Sequence, residues 1–271
     1  MLPEMSLEGH VAIVTGGSRG IGREIALVMA EAGSDIVLAA RTESDLDVTV
    51  GDVRALGRQV LAVPTDVCRA SDVDTLIEKA VQRFGKVDVM VNNAGKLLRL
   101  ASAPLPDYKT TAFKPSRDTA FRTTDEEWQS IIDTNLNGVF YCCRSVAPQM
   151  MKQGYGKIIN ISSTNSTMAF PLMAAYSCSK AAVNMLTRVL AMEWAPYNIC
   201  VNAIGPGDYD TEMTHESWQD DEGRQKHLDG IPLHREGRLR DLGLLAVYLA
   251  SSASDYLTGQ VVYVDGGMTA A

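Results

Sequence analysis

Two side chains four residues apart, Tyr176 and Lys180 in Tyr176-Ser177-Cys178-Ser179-Lys180, form the most reactive pairing in this chain of 271 residues. On a helix that spacing puts both on one face, one turn apart. An ammonium beside a phenol favours phenolate and draws a pKa that starts near ~10 towards neutrality. The pair is then a proton donor and acceptor usable at physiological pH. The same pair on an exposed helix is only a surface pair, so the reading depends on partners elsewhere. Two polar candidates stand out. Ser163 follows a predicted strand thirteen residues before Tyr176. Asn135, in Thr134-Asn135-Leu136-Asn137-Gly138, occupies a mid-helix position that its side chain disfavours, so a polar task is plausible there.

The elements that must position these residues alternate along the chain. Short apolar runs at 11–15, 35–40, 60–63, 87–91, 157–161, 199–203 and 260–264 read as strands. Between them the pattern predicts helices over 21–32, 48–56, 71–84 and 124–153, and another from Tyr176 to about 194. The helix over 124–153 opens on Thr124-Asp125-Glu126-Glu127, a capping-box sequence. Apolar strands separated by helices imply a parallel sheet covered on both faces. The expected fold is therefore α/β, a doubly wound, Rossmann-type sheet of seven parallel strands, as a single domain over residues 1–271. Two segments break the rhythm. Residues 96–122 hold three prolines and little periodicity, long for a connection from strand to helix. Residues 205–237 carry charges, turn residues and Trp218, and read as a lid over the substrate. Both leave strand ends.

The net charge of −8 argues against a nucleic-acid or membrane-surface partner, which would call for a basic face. No apolar run approaches the ~20 residues of a spanning helix, and residues 1–10 carry no signal-peptide pattern. Five cysteines, an odd number without a C-x-x-C pair, suggest neither a disulfide framework nor a zinc site. Thiols in a reducing cytosol fit better, so the expected location is cytoplasmic. Cys178 points about 160° away from the Tyr176 and Lys180 face and reads as packing. His215, His227 and His234 lack metal-ligand spacing, and no metal is expected.

A cofactor is implied by Thr15-Gly16-Gly17-Ser18-Arg19-Gly20-Ile21-Gly22, which joins the first strand to the first helix. Glycines there permit a tight turn and let a pyrophosphate approach backbone and helix N-terminus, with Ser18 and Ile21 in the same turn. The spacing is G-x-x-x-G-x-G. At the end of the second strand a carboxylate would accept from the ribose hydroxyls of NAD, whereas a cation would meet the extra phosphate of NADP. This chain has Arg41 there, with Arg19 in the glycine turn, so NADP(H) is preferred and NAD(H) remains possible. Asp66-Val67 after the third strand, and Asn93-Ala94-Gly95 after the fourth, lie where adenine and ribose contacts occur in such a sheet.

From Val11 to Gly267 the chain resembles the short-chain dehydrogenase/reductase superfamily in its compact single-domain branch. The resemblance rests on the glycine turn, Asn92-Asn93-Ala94-Gly95, Asn135, Ser163, Tyr176-x-x-x-Lys180, Pro206-Gly207 with Thr211, and Val264-Asp265-Gly266-Gly267. It implies that Tyr176 is the general acid for carbonyl reduction and the base for alcohol oxidation. Lys180 would lower its pKa and hold the nicotinamide ribose, Ser163 would polarise the substrate oxygen, and Asn135 would anchor a water in a proton relay. Pro206, Gly207, Tyr209 and Thr211 would cover the nicotinamide and phosphates. Tyr209 departs from the small aliphatic residue usual in the family. The implied activity is an NADP(H)-dependent oxidoreductase interconverting a ketone and a secondary alcohol. Reductases of 3-oxoacyl carrier protein and sugar or polyol dehydrogenases both remain open. From another class, so does a non-catalytic nucleotide-binding scaffold or sensor. A homotetramer or homodimer is the family expectation, and residues 96–122 exceed the usual connection by about a dozen.

Overall fold

Seven parallel strands form one sheet in the computed structural model, which describes residues 2–97, 123–170, 173–218 and 221–270. They are β1 (Val11–Thr15), β2 (Asp35–Ala40), β3 (Val60–Pro64), β4 (Val89–Asn92), β5 (Gly156–Ile161), β6 (Ile199–Pro206) and β7 (Val261–Val264), paired in the order β3-β2-β1-β4-β5-β6-β7. The strands are apolar runs rather than alternations because helices cover both faces. Ala12 and Val14 of β1 point into one core with Leu38, Val91 and Ile159, whereas Val11 and Ile13 point into the other with Val37, Met90 and Ile158. The first core is closed by α1 (Gly20–Glu31) and α2 (Asp47–Ala55). The second is closed by α3 (Ala70–Phe84), α5 (Gly138–Gln153) and α6 (Ala174–Trp194), with α4 (Asp125–Ile132) leading into α5. After β3 the chain crosses back over β1 to place β4 on its other side. The strand order therefore reverses between β1 and β4, and the carboxyl ends of those strands flank the crevice where such sheets take ligands.

The helix read over 124–153 runs unbroken in space but not in winding. Thr124 caps it as its sequence implies: Glu127 N–H donates to Thr124 Oγ1 at 3.1 Å and Thr124 N–H to Glu127 Oε2 at 2.9 Å. A π-turn then intervenes at Asp133–Asn137, between α4 and α5. Such turns insert one residue and re-aim the side chains around them. Asn135 sits on it, fully buried.

Two helices went unread in the sequence. α7 (Asp221–Gly230) lies inside the segment taken as a lid loop, and α8 (Leu239–Ala250) follows it. α7 carries no apolar stripe that a period of 3.6 could reveal. α8 does: Leu242, Ala246, Leu249 and Ala250 are buried, and the helix packs on Val28 of α1 through Gly243. Residues 98–122, most of the long connection after β4, lie outside the described residues. Among the described residues no helix is long and apolar enough to cross a membrane.

Candidate active site

The carboxyl ends of the strands open into a cleft of about 1280 Å³. One end is the turn between β1 and α1. Gly16 takes the left-handed conformation there (φ +65°), and a Cβ on Gly22 would stand 2.3 Å from the Gly16 carbonyl oxygen, so α1 packs directly on the turn. No side chain caps the first turn of α1, leaving its N–H groups and their partial positive charge to a ligand. Gly16, Ser18, Arg19, Gly20 and Ile21 line the cleft with Arg41, Asp66, Val67, Asn93, Ala94 and Gly95. Pro206, Gly207, Tyr209 and Thr211 close it from the other side. Gly22 alone among the residues expected to touch the cofactor does not line it; its part is close packing.

Some of these residues serve the frame rather than present free groups. Asn93 Nδ2 donates to the backbone oxygens of Thr15 (3.0 Å) and Gly16 (3.2 Å), while Thr15 Oγ1 accepts from the N–H groups of Asn93 and Ala94, both at 3.1 Å. These bonds pin the end of β4 to the end of β1 at the point where strand order reverses. Asp66 Oδ1 accepts from Cys68 N–H at 3.0 Å, fixing the turn after β3. Arg19 and Arg41, in contrast, are exposed on the cleft rim and make no ion pair among the described residues. Other arginines are committed: Arg23 to Asp52, Arg58 to Glu8 and Asp35, Arg240 to Glu31. Asp45 shares the rim with Arg41. A pocket with this turn, this helix end and two uncommitted cations fits a phosphorylated dinucleotide.

At the other end stand Ser163, Tyr176 and Lys180. Ser163 ends the extended segment after β5, and its Oγ accepts from Asn165 N–H at 3.1 Å. Lys180 is 4% exposed; its Nζ donates to the Ile161 carbonyl oxygen at 2.7 Å and lies 5.7 Å from the centre of the Tyr176 ring. Burial lowers the Lys180 ammonium to about 8. Burial also pushes the Tyr176 phenol above its ordinary range, and the neighbouring Ser163 hydroxyl works the other way. The sequence pattern led us to expect a phenol drawn towards neutrality by its lysine. In the bare chain desolvation prevails, and the phenol is protonated at neutral pH, the form a general acid requires.

Asn135 is off the cleft surface. Its Oδ1 accepts from Lys96 N–H (2.7 Å), and its Nδ2 donates to Lys96 O (2.9 Å) and Ser179 Oγ (3.2 Å). It ties the chain beyond β4 to the helix of Tyr176 and Lys180, which accounts for a polar residue in mid-helix. A Cβ on Gly95 would be 3.7 Å from both Asn135 Oδ1 and Lys180 Nζ, so the two groups converge on one backbone position.

The segment after β6 is anchored rather than loose. Trp218 is buried, stacked on His227 (ring centres 4.6 Å apart) and packed against Ile231 and Met268. His227 Nδ1 lies 3.0 Å from Asp208 Oδ2, and His215 Nδ1 lies 2.9 Å from Asp210 Oδ1. Tyr209, the departure from the family pattern, turns its ring into the core, where Oη donates to Val264 O at 2.9 Å. Cys178, read as packing, is instead exposed, because the face opposite Tyr176 and Lys180 is the outer face of α6. Sequence reasoning missed the part of the wall built by α4 and the π-turn, including Gln129, Ser130 and Thr134. Their spacing suits one helix face, but only packing shows which face meets the cleft.

This turn, sheet and Tyr-x-x-x-Lys helix define a class. A family model for short chain dehydrogenase matches residues 10–222, and the chain belongs to that family of oxidoreductases. It is 40% identical over 271 residues to a 2-dehydro-3-deoxy-D-gluconate 5-dehydrogenase of Dickeya dadantii, covering 100% of this chain and 99% of the relative. It is 37% identical over 258 residues to a 3-oxoacyl-acyl-carrier-protein reductase of Staphylococcus epidermidis, covering 95% and 98%. Among solved structures, a gluconate 5-dehydrogenase of Burkholderia cenocepacia in complex with NADP and tartrate superposes with a TM-score of 0.88 at 34% identity, covering 99% and 98%.

Proposed function

We propose that the chain is an NADP(H)-dependent oxidoreductase that interconverts a ketone and a secondary alcohol, with Tyr176 as its general acid and base. The observation that carries this reading is the single cleft joining two sites. The glycine turn with Arg19 and Arg41 lies at one end, and Ser163, Tyr176 and Lys180 lie at the other. A bound dinucleotide would supply the hydride. In reduction, Ser163 Oγ–H, which lies 3.3 Å from Asn165 Oδ1, would turn to the substrate oxygen, and Tyr176 would give up its proton as the carbonyl becomes an alcohol. The Lys180 ammonium then stabilises the phenolate. Asn135 positions the pair by tying the Lys96 backbone to Ser179, on the helix of Tyr176 and Lys180. Arg41 and Arg19 would hold a 2′-phosphate, which would favour NADP(H) over NAD(H); the relative that carries NADP supports this choice.

Among substrates, the 5-dehydrogenase relative of highest identity given above points to a keto or hydroxy sugar acid. The second reading is a 3-oxoacyl thioester, favoured by the reductase relative. A panel of 5-ketogluconate, other keto sugars and a 3-oxoacyl thioester, followed at the NADPH absorbance, separates the two. The same assay tests the catalytic assignment. Tyr176→Phe is expected to abolish turnover on every accepted ketone while NADPH titrates its fluorescence normally. Retained turnover removes Tyr176 from its role, and loss of NADPH binding in the wild type would leave the scaffold reading without its nucleotide.

We further place the enzyme in a reducing cytoplasm, since its five cysteines are all free thiols. We also expect a homodimer or homotetramer. Trp128 and Phe140 on α4 and α5, and Met185, Val189 and Met192 on α6, expose apolar surface that association would cover.

A further inference from the structure

Beneath Ser163 lies a closed hydrogen-bond network that none of the site residues above explains. Asn184 is on α6, one turn beyond Lys180 and two beyond Tyr176, hence on the same helix face. It is 8% exposed. Its Oδ1 accepts from Ser162 Oγ at 2.6 Å, and the two hydrogens on its Nδ2 go to Ser166 Oγ (2.8 Å) and to Tyr263 Oη of β7 (3.1 Å). Ser166 Oγ lies 2.9 Å from Tyr263 Oη and donates to the Ser163 carbonyl oxygen at 2.6 Å. The protons can be assigned in one consistent way. Ser166 has committed its own hydrogen to Ser163 O, so Tyr263 must donate to Ser166 Oγ while accepting from Asn184. Ser166 Oγ then has both lone pairs and its proton occupied. Every hydrogen of the network has an acceptor, and the Ser162 hydroxyl, given to Asn184 Oδ1, also lies 3.4 Å from the Lys180 carbonyl oxygen. Ser162 and Asn184 are buried and Ser166 and Tyr263 half-buried, and a fully satisfied network of this kind is rigid. Room for the Tyr263 ring exists because residue 205 is glycine: a Cβ there would stand 2.3 Å from Tyr263 Cδ1.

From this geometry we infer that Asn184, Ser166 and Tyr263 are positioning residues for the reaction, holding the Ser163 turn at a fixed distance from Tyr176. The turn Thr164–Ser166 begins at Ser163, whose carbonyl also receives Ser166 N–H at 3.0 Å. Both bonds to that carbonyl come from Ser166. Asn184 and Tyr263 aim the stronger of them, and Asn184 rides on the helix that carries the phenol. The network thus couples the residue that polarises the substrate oxygen to the helix that protonates it. Asn184 and Tyr263 touch no reacting atom; they act through Ser163. The inference rests on the roles of Ser163 and Tyr176 proposed above.

The test is a double-mutant cycle on the best-used ketone of the panel, with NADPH as cosubstrate. Asn184→Leu, Ser166→Ala and Tyr263→Phe are each made alone and in a Ser163→Ala background. Alone, each is expected to lower kcat between about 5- and about 50-fold, the range for slight misplacement of a reacting group, with the KM for NADPH changed less than about 2-fold. In the Ser163→Ala background the same substitutions should lower kcat less than about 2-fold further, because the group they position is gone. Equal losses in both backgrounds, or no loss of kcat in any single variant, would overturn the inference. Full turnover by Ser163→Ala alone would instead overturn the role of Ser163. Tyr263→Phe removes one oxygen and keeps the ring, so the cycle stands even if Asn184→Leu does not fold.

Discussion

Lys180 offers the sharpest test of the site, because its burial makes it costly to the fold that carries it. Its ammonium is 4% exposed, and its pKa is lowered by burial from 10.5 to about 8. Each tenfold in proton affinity is worth about 1.36 kcal/mol, so the charged form is disfavoured in the folded chain by about 3 kcal/mol. The sign follows from proton counts. Below pH 8 both folded and unfolded chains hold the proton and the penalty is complete. From pH 8 to 10.5 the unfolded chain holds more protons than the folded one, so stability rises with pH as the penalty is relieved. The comparison is with Lys180→Met, which has similar bulk and no charge. Between pH 8 and 10 the wild type should gain about 2 kcal/mol relative to that variant, with a slope of about 1 kcal/mol per pH unit. The carbonyl of Ile161, deprived of its donor in the variant, costs about 1–3 kcal/mol at every pH and therefore drops out of the slope. Above pH 10, phenols raised by burial, at Tyr155, Tyr176 and Tyr209, reverse the trend in both proteins, because the unfolded chains lose those protons first. Urea denaturation followed by tryptophan fluorescence from pH 7 to 10 measures the difference. A gap that stays flat across the window would refute the argument that Lys180 carries a desolvation penalty. The variant should also lose at least about 100-fold in kcat, since it removes the charge that stabilises the phenolate. A residue that weakens the fold and is needed for turnover is the signature of a functional site.

Two further outcomes follow from the cleft and the surface. Arg41→Asp should lower the preference for NADPH over NADH by about 10- to 100-fold, by exchanging a charge-assisted phosphate contact for repulsion; an unchanged ratio in steady-state kinetics with both cofactors would show that Arg41 does not read the phosphate. Size exclusion with light scattering should give a mass of two or four chains of 29.3 kDa, and a monomer at micromolar concentration would mean that the exposed Met192 face of α6 has another use.

The parts of this protein written locally were legible in the sequence. Runs such as Val11–Thr15 are apolar throughout because both sheet faces are covered, and that alone implies a parallel, doubly wound sheet. The Thr124 capping box marks its helix start because its two bonds join residues three apart. Tyr176 and Lys180 share a face by helix geometry, and Asn135 drew attention by being a poor choice for a helix. Elements without such a local mark escaped. α7 has no apolar stripe, and the π-turn depends on how Asn135 bonds to Lys96, 39 residues away.

Tertiary structure decided what those marked residues do. Spacing alone favours a phenol near neutrality, but the packed chain buries Lys180 and half-buries Tyr176, and desolvation outweighs their proximity. It makes Asn93, which also lines the cleft, a stitch between β1 and β4, sends the Tyr209 ring into the core, and exposes Cys178. It also assembles the network of Ser162, Ser166, Asn184 and Tyr263, whose members come from three separate stretches of chain. The order of residues along the chain determined which groups could react. Their desolvation, and the bonds that hold Ser163 opposite Tyr176, depend on neighbours up to 97 residues away and exist only once the sheet has closed.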